Sequence, residues 1–376
     1  MDFNYYFKSR QGEMVSLLKD LVQRESPTSD KKAVDACSSY LAEKFKRIGA
    51  KITRFPQKKI GDFHLIEFPA KPDKQREGQI LVLTHIDTVW PVGKIRQMPF
   101  YVAGDKVFGP GALDMKAGLV LAFYALKTMN DLNLRPSKNI AVFINTAEEI
   151  GCEESYQIIR TLARKSSCVL CLEPALPGGA LKTQRKGRLV IRLEAQGKSA
   201  HAGTPEKGVN AIDELMSQLR KINRMKSKDI SVNVGLIGGG EKANVVPDRA
   251  WVVLDIRFWN TLQKEQIIRN FKNLTPVLLG AKLKFSMESL TPPMEKTKPS
   301  TDLLLDAKNI AMGLNMTLEA GRTGGGSDAS IASGLGIATL DGLGPDGEGI
   351  HSEKEHVLLS SLVRRAALLT EMLRQL

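Results

Sequence analysis

Three nearly unbroken apolar runs constrain the fold of this chain more than any other feature: QILVLTH (79–85), NIAVFINT (139–146) and CVLCLE (168–173). A strand that is apolar at successive positions must be covered on both faces, which is the situation of a parallel sheet flanked by helices. Helical periodicity falls between these runs, at 117–130 and 153–165. It also precedes them, at 13–24 and 30–48, where Ser26-Pro27-Thr28 breaks the pattern. With HLIEF (64–68) as a further strand, the alternation predicts an α/β domain on a mixed, largely parallel sheet.

The texture changes after Gly178-Gly179. RLVIRLEAQ (188–196) alternates as a half-exposed strand does, and is followed by a helix at 209–222, strands at 230–237 and 251–258, a helix at 262–274 and a strand at 282–289. Strand–helix–strand–strand–helix–strand is the split βαβ order of a ferredoxin-like α+β domain. TPPMEKTKP (291–299) reads as a linker, after which helix 301–313, strand 316–321, short helix 328–333, strand 337–341 and helix 357–374 resume the first style. The expected organisation is one α/β domain in two parts, 1–181 and 295–376, interrupted by a smaller domain at 182–294.

The 376 residues carry 54 Lys and Arg against 41 Asp and Glu, a net charge of +13. Such an excess raises nucleic acid as a partner. Its distribution argues otherwise: 182–294 holds 20 basic and 10 acidic side chains, spread over strands and helices without an aromatic-interleaved stripe. Neither nucleic acid nor membrane is expected as a partner, since no apolar run approaches the ~18 residues of a membrane span. The opening MDFNYYFKSRQGEM lacks the basic-then-apolar order of a signal peptide, so the expected location is cytoplasmic. Cys168 and Cys171 form a CxxC without a second pair to complete a zinc tetrad, and read as buried strand residues.

Open α/β sheets bind ligands outside the carboxyl ends of their strands. His85 and Asp87 end one predicted strand, Glu148 and Glu149 follow another, and Glu173 follows a third. Asp114 stands in the loop GPGALDMKAG before a helix, and His351 after a Gly-rich turn in GPDGEGIHSEKEHV. Packing gives no reason for carboxylates and histidines to collect at such positions. Imidazole and carboxylate donors together suit zinc or a similar divalent ion. His85, Asp114, Glu149, Glu173 and His351 would supply two ions that share one carboxylate. Asp87 is placed to support the second ring nitrogen of His85, and Glu148, left over beside a ligand, stands where a general base belongs.

In order along the chain, THIDTVWPVG, GPGALDMKAG, NTAEEIG, LEP, GKSAHAGTPEKGVNA, RTGGGSDAS and GIHSEKEHV resemble the motifs of the M20 family of metallopeptidases, above all its glutamate carboxypeptidase (carboxypeptidase G2-like) members. The resemblance implies a two-zinc catalytic domain, with Co2+ or Mn2+ able to substitute, and an inserted ferredoxin-like lid through which the chain forms a homodimer. It assigns His85 and Glu173 to one ion, Glu149 and His351 to the other, Asp114 to both, Glu148 as the base and Asp87 as the residue orienting His85. It further implies that His201 stabilises the oxyanion in the partner subunit's site, that Arg257 and Asn244 bind substrate, and that Gly324, Gly325 and Gly326 line the substrate pocket. TGGGSD is no phosphate loop, since no GK[ST] follows.

Within that family Glu at 173 goes with carboxypeptidases and acyl-amino-acid hydrolases, and Asp with aminopeptidases, which favours release of a C-terminal amino acid. The expected activity is hydrolysis of a small peptide or N-acyl amino acid to release glutamate. The alternatives are another hydrolase of the family, an acetylornithine or succinyl-diaminopimelate deacylase or a di- or tripeptidase, and, in a different class, a catalytically silent binding or scaffold homologue.

Overall fold

The computed structural model describes residues 2–70 and 78–376. They divide into two compact units: 1–183 with 296–322 and 327–376, and 184–295 with 323–326.

The first unit is built on a six-stranded sheet in the spatial order Lys51–Phe55, Phe63–Phe68, Asn139–Asn145, Gln79–His85, Ser166–Cys171, Thr339–Leu340. Gln79–His85 runs parallel to both its neighbours, and Thr339–Leu340 parallel to Ser166–Cys171, while the first two strands are antiparallel. The apolar runs therefore become the parallel centre, as their composition requires. Along Gln79–His85, Ile80 and Val82 join the main core, and Leu81 and Leu83 are buried on the opposite face. Alternation also separates Cys168 from Cys171, since residues three apart on a strand face opposite ways. Both cysteines are buried free thiols.

The helix Ala117–Asp131 is apolar all round because it is buried on nearly every side. Gly118 admits this packing, for a Cβ there would lie 2.4 Å from the carbonyl oxygen of Leu172. Asp30 caps the helix Lys31–Arg47 by accepting from Ala33 N (3.0 Å). A separate four-stranded sheet orders Gly347–Glu348, His356–Leu358, Lys106–Phe108 and Tyr101–Ala103 and presents the loop 349–355.

The second unit is an antiparallel sheet ordered Ser231–Gly239, Arg249–Phe258, Gly187–Gln196, Lys282–Thr291, with helices Ala211–Asn223 and Thr261–Lys272 against one face. Its connectivity is the ferredoxin-like order. Asn210 and Asn260 cap the two helices through their side-chain oxygens.

Several short elements differ from expectation. Lys51–Phe55 is a strand although its polar residues alternate weakly, because it pairs at the edge of the sheet with Phe63–Phe68. The strand expected at 316–321 lies at Ala320–Thr323, where it pairs with Leu181–Arg185, a strand the sequence had not suggested. The 291–299 stretch is shorter as a linker than its composition implies. The preceding strand runs to Thr291 and a helix begins at Lys298, capped by Thr297.

Asp62 ties the edge of the main sheet to the helix Lys31–Arg47. Its carboxylate accepts from Gln57 N (2.8 Å), Arg54 Nε (2.6 Å) and Lys31 Nζ, and its own N–H donates to Asp35 (2.7 Å). Burial works to raise this carboxyl, but Lys31, the Gln57 N–H and Arg54 together hold it at about 2. A folded-state value below the unfolded one stabilises the fold above about pH 4, and the contribution is lost as pH falls toward 2. Asp62→Asn should lower the unfolding free energy at neutral pH by about 1–2 kcal/mol, allowing for the solvent exposure of Arg54. Urea titrations of both proteins should show that gap closing near pH 2–3.

Candidate metal centre

The three central parallel strands end side by side, so the residues after them share one rim of the sheet. His85 is the last residue of its strand, Glu148 and Glu149 follow Asn145 by a short turn, and Glu173 follows Cys171 by two residues. Asp114 reaches the same place from the irregular segment Ala112–Lys116, whose Asp114–Met115 peptide bond is cis. Gly111 permits the turn before it, with φ +69° and a Cβ position 2.5 Å from Thr88. His351 arrives from the loop of the small sheet, with φ +58°, a backbone conformation sparsely used by residues with side chains.

The resulting geometry has Asp114 at its centre. Its Oδ1 lies 3.2 Å from His85 Nε2 and its Oδ2 lies 3.3 Å from His351 Nε2. Glu173 Oε1 is 3.4 Å from the same His85 nitrogen, and Glu149 Oε2 is 3.3 Å from the same His351 nitrogen. The two triads thus meet at the two oxygens of one carboxylate. Donor atoms of His85, Glu148 and Glu173, and of His85, Asp114 and Glu149, also lie within 4.8 Å of one another.

These separations fit a metal ion. Four donors placed tetrahedrally about 2.0–2.1 Å from a zinc ion stand about 3.3–3.4 Å apart. The tautomer of His85 agrees: Nδ1 lies 3.0 Å from the backbone carbonyl of Asp87, which can only accept, so Nδ1 carries the proton and Nε2 offers a lone pair. A lone pair facing two carboxylates needs a cation or a proton among them. Glu149 Oε1 is buried and has no hydrogen-bond partner, an orphaned acceptor of the kind a ligand ion satisfies.

The electrostatics of the metal-free residues express the same demand. Hydrogen bonds to Asp114 and Glu149 raise the imidazole of His351 to about 10. Burial works to depress His85, but its contacts with Asp114, Asp87 and Glu173 raise it well above the ordinary histidine range. Burial and then the charge of Glu173 push Glu148 well above the usual carboxyl range, while the two imidazoles hold Asp114 below it despite burial. Buried carboxylates packed this closely require positive charge.

Behind these residues lies a layer of hydrogen bonds that sequence reasoning largely missed. Asp87 stands 3.4 Å from His85 Nδ1 through its carboxylate, farther than through its carbonyl. That carboxylate accepts instead from Thr28 Oγ1 (2.7 Å) and from the N–H groups of Glu148 (3.2 Å) and Glu149 (3.3 Å), fixing the turn that carries both glutamates. Asp328 accepts from Asn145 Nδ2 (2.7 Å), whose Oδ1 accepts from Ala147 N. Glu355, fully buried, accepts from Gly111 N (3.0 Å), Leu113 N (2.8 Å), Asp114 N (3.1 Å) and Trp90 Nε1 (3.0 Å). The only sequence signal for Glu355 was its place four residues after His351.

The other expected site residues belong to the second unit. His201 is exposed, and its Nδ1 accepts from Gly203 N (3.0 Å), which puts the proton on Nε2. Arg257 is engaged by Asp255, with Nε and Nη2 at 2.7 and 3.2 Å from its two oxygens. Asn244 is exposed, and its backbone carbonyl accepts from Ala202 N. Arg185 donates to the carbonyls of Gly325 and Gly326, and a Cβ at Gly324 or Gly326 would meet nothing within 4 Å.

An α/β sheet bearing imidazole and carboxylate donors at its carboxyl rim, shaped around a shared aspartate, defines a metal-dependent hydrolase. Residues 81–375 match the family described as Peptidase family M20/M25/M40, and the chain belongs to it. It is 28% identical over 365 residues to carboxypeptidase G2 of Pseudomonas sp. (strain RS-16), covering 94% of this chain and 87% of that one. Its fold is similar to aminopeptidase PepT of Bacillus cereus (TM-score 0.77, 22% identity, 97% and 98% coverage). It is likewise similar to a dinuclear metal-binding peptidase of the M20 family from Bacillus subtilis (TM-score 0.70, 14% identity, 97% and 98% coverage).

Because Glu355 holds the backbone that presents Asp114, Glu355→Gln should weaken metal affinity roughly 10–100-fold. Competition for the metal with a fluorescent chelator would measure this, and unchanged affinity would remove Glu355 from the support of the site.

Proposed function

We propose that this enzyme is a di-zinc carboxypeptidase that hydrolyses an amide bond in a small peptide or N-acyl amino acid and releases a C-terminal amino acid, glutamate in the first instance. The observation that carries the reading is the sharing of Asp114 between two histidines through different oxygens. His85 and Glu173 would hold one ion, His351 and Glu149 the other, and Asp114 both. Bound there, such ions supply an acidified water and a Lewis acid for the substrate carbonyl.

The protein's own part is proton transfer and placement. Glu148 makes no hydrogen bond to the two histidines and is not one of the proposed ligands, while Asp87 fixes its backbone beside them, so its carboxylate would take a proton from the attacking water. The same carboxyl then delivers that proton to the leaving nitrogen. Asp87 keeps Glu148 and Glu149 in register through their N–H groups, and the Asp87 carbonyl keeps His85 turned. His201, protonated on Nε2, is a donor suited to the oxyanion of the tetrahedral intermediate. Arg257 and Asn244 would bind the substrate's terminal carboxylate, Arg257 by exchanging Asp255 for it, and Gly324, Gly325 and Gly326 would face the bound chain.

The homodimer would form at the edge strand Ser231–Gly239, which lies outermost in its sheet and exposes Leu236 and Ile237. Among the described residues no helix is long and apolar enough to cross a membrane.

Zinc-loaded protein should release glutamate from an N-acyl-glutamate, and a chelator should abolish the release. Turnover of an N-acetylornithine or a tripeptide alone would retain the metal site and replace the substrate. Glu148→Gln should lower kcat by roughly 100–10,000-fold at unchanged zinc content, since it removes the proton carrier and none of the proposed ligands. Light scattering should give twice the chain mass, and Leu236→Asp should shift it toward the monomer.

A further inference from the structure

We propose that the outer face of the second unit's sheet is a binding site for a small polyanion carrying three or more negative charges, held by Arg192, Arg249, Lys282 and Lys284. The helices of this unit cover only the face formed by Leu189, Ile191, Leu193, Ala250, Val252 and Leu254. The alternate residues point the other way, and the strand register arranges them in rows.

In the first row Gln196 stands between Arg249 and Lys282. In the second, Glu194 stands between Trp251 and Lys284. In the third, Arg192 stands between Val253 and Ser286. Neighbouring strands are about 4.8 Å apart, so the cations of the outer strands face one another across about 10 Å, within reach of a single small ligand. These residues line a concavity of about 500 Å³, a volume typical of small-molecule sites.

The site is partly organised in advance. Trp251 lies over Gly238, where a Cβ would stand 2.8 Å from the ring. The Arg192 guanidinium rests 4.3 Å from the centre of that ring and donates from Nε to Glu194 (2.7 Å). An arginine held on an aromatic ring loses little freedom on meeting an anion. Glu194 balances Arg192, whereas Arg249, Lys282 and Lys284 have no carboxylate partner among the described residues. Three unbalanced cations around one hollow call for about three ligand charges.

The same rows favour a small ligand over nucleic acid. Beyond the third row the charge is largely paired. Leu236 adjoins Val253, and at the far end Arg188 and Arg257 both bind Asp255. A nucleic-acid backbone needs a longer stripe. This site is independent of the hydrolytic reading.

Isothermal titration of the zinc-loaded protein at physiological ionic strength, with sodium tripolyphosphate in one arm and citrate in the other, tests the proposal. The control is the triple variant Arg249→Gln, Lys282→Gln, Lys284→Gln, so that any withdrawal of zinc by the probe is common to both proteins. One equivalent of at least one probe should bind the native protein roughly tenfold or more tightly than the variant, at an unchanged melting temperature and zinc content. The arm that responds tells phosphate from carboxylate ligands. Equal binding by the two proteins, no binding of either probe, or tighter binding of a short single-stranded RNA would each overturn the proposal. Should the triple variant melt early, Lys284→Gln alone, on an exposed position, should still weaken binding several-fold, and failure to do so would count equally against it.

Discussion

The carboxylate of Asp114, with an imidazole on each of its oxygens, is the constraint to which the surrounding architecture answers. A buried carboxylate between two histidines is held by geometry as much as by charge, and each neighbour arrives on a different element. His85 is set by the end of a central strand, His351 by a loop of the small sheet, and Asp114 itself by an irregular segment that neither a strand nor a helix could supply. An error of one residue in any of these would leave several negative groups buried without a counter-charge, at a cost of several kcal/mol each.

That cost explains the density of hydrogen bonds behind the site. Glu355 gathers three N–H groups and an indole, Asp87 gathers two N–H groups and a hydroxyl, and Asn145 with Asp328 braces the turn before the glutamates. Lys116 adds a cation on the other side. Wholly buried, it donates to the carbonyls of Leu21 and Arg24 at the end of the helix Gln11–Gln23. The ligand set is thereby tied to elements distant in sequence, and the rigidity of the site is a property of the unit as a whole.

How much of this could be read in advance follows from the range of the forces involved. The central strands were legible because burial on both faces leaves a continuous apolar run, as in QILVLTH. Positions at their ends stood out because a histidine or carboxylate directly after such a run has no packing role. Asp87 was legible as a supporter of His85, but not as the acceptor for two N–H groups on a neighbouring strand's turn. Glu355 and Asp328 were not legible, because an acid in a loop reads as solvated until the fold surrounds it. The edge strand Lys51–Phe55 and the pairing of Ala320–Thr323 with Leu181–Arg185 escaped for a related reason. Lys51–Phe55 and Ala320–Thr323 are short and largely exposed, and Leu181–Arg185 buries polar side chains, so the strands they pair with define them rather than an apolar pattern of their own.

The far end of the strand Leu181–Arg185 has a bearing on how the chain is assembled. Arg185 N donates to Met294 O at 3.0 Å and Met294 N to Arg185 O at 3.1 Å, so the points where the chain departs from the first unit, after 183, and comes back to it, at 296, lie beside one antiparallel bridge. More than a hundred residues separate them in sequence, yet the gap to be bridged is a single strand spacing, about 5 Å. The first unit is in this sense topologically closed without its insertion: a short link between those two residues would complete its backbone. The inserted unit, whose core draws on its own sheet and helices, can therefore diverge in length, charge and surface without disturbing the strands that carry the metal ligands.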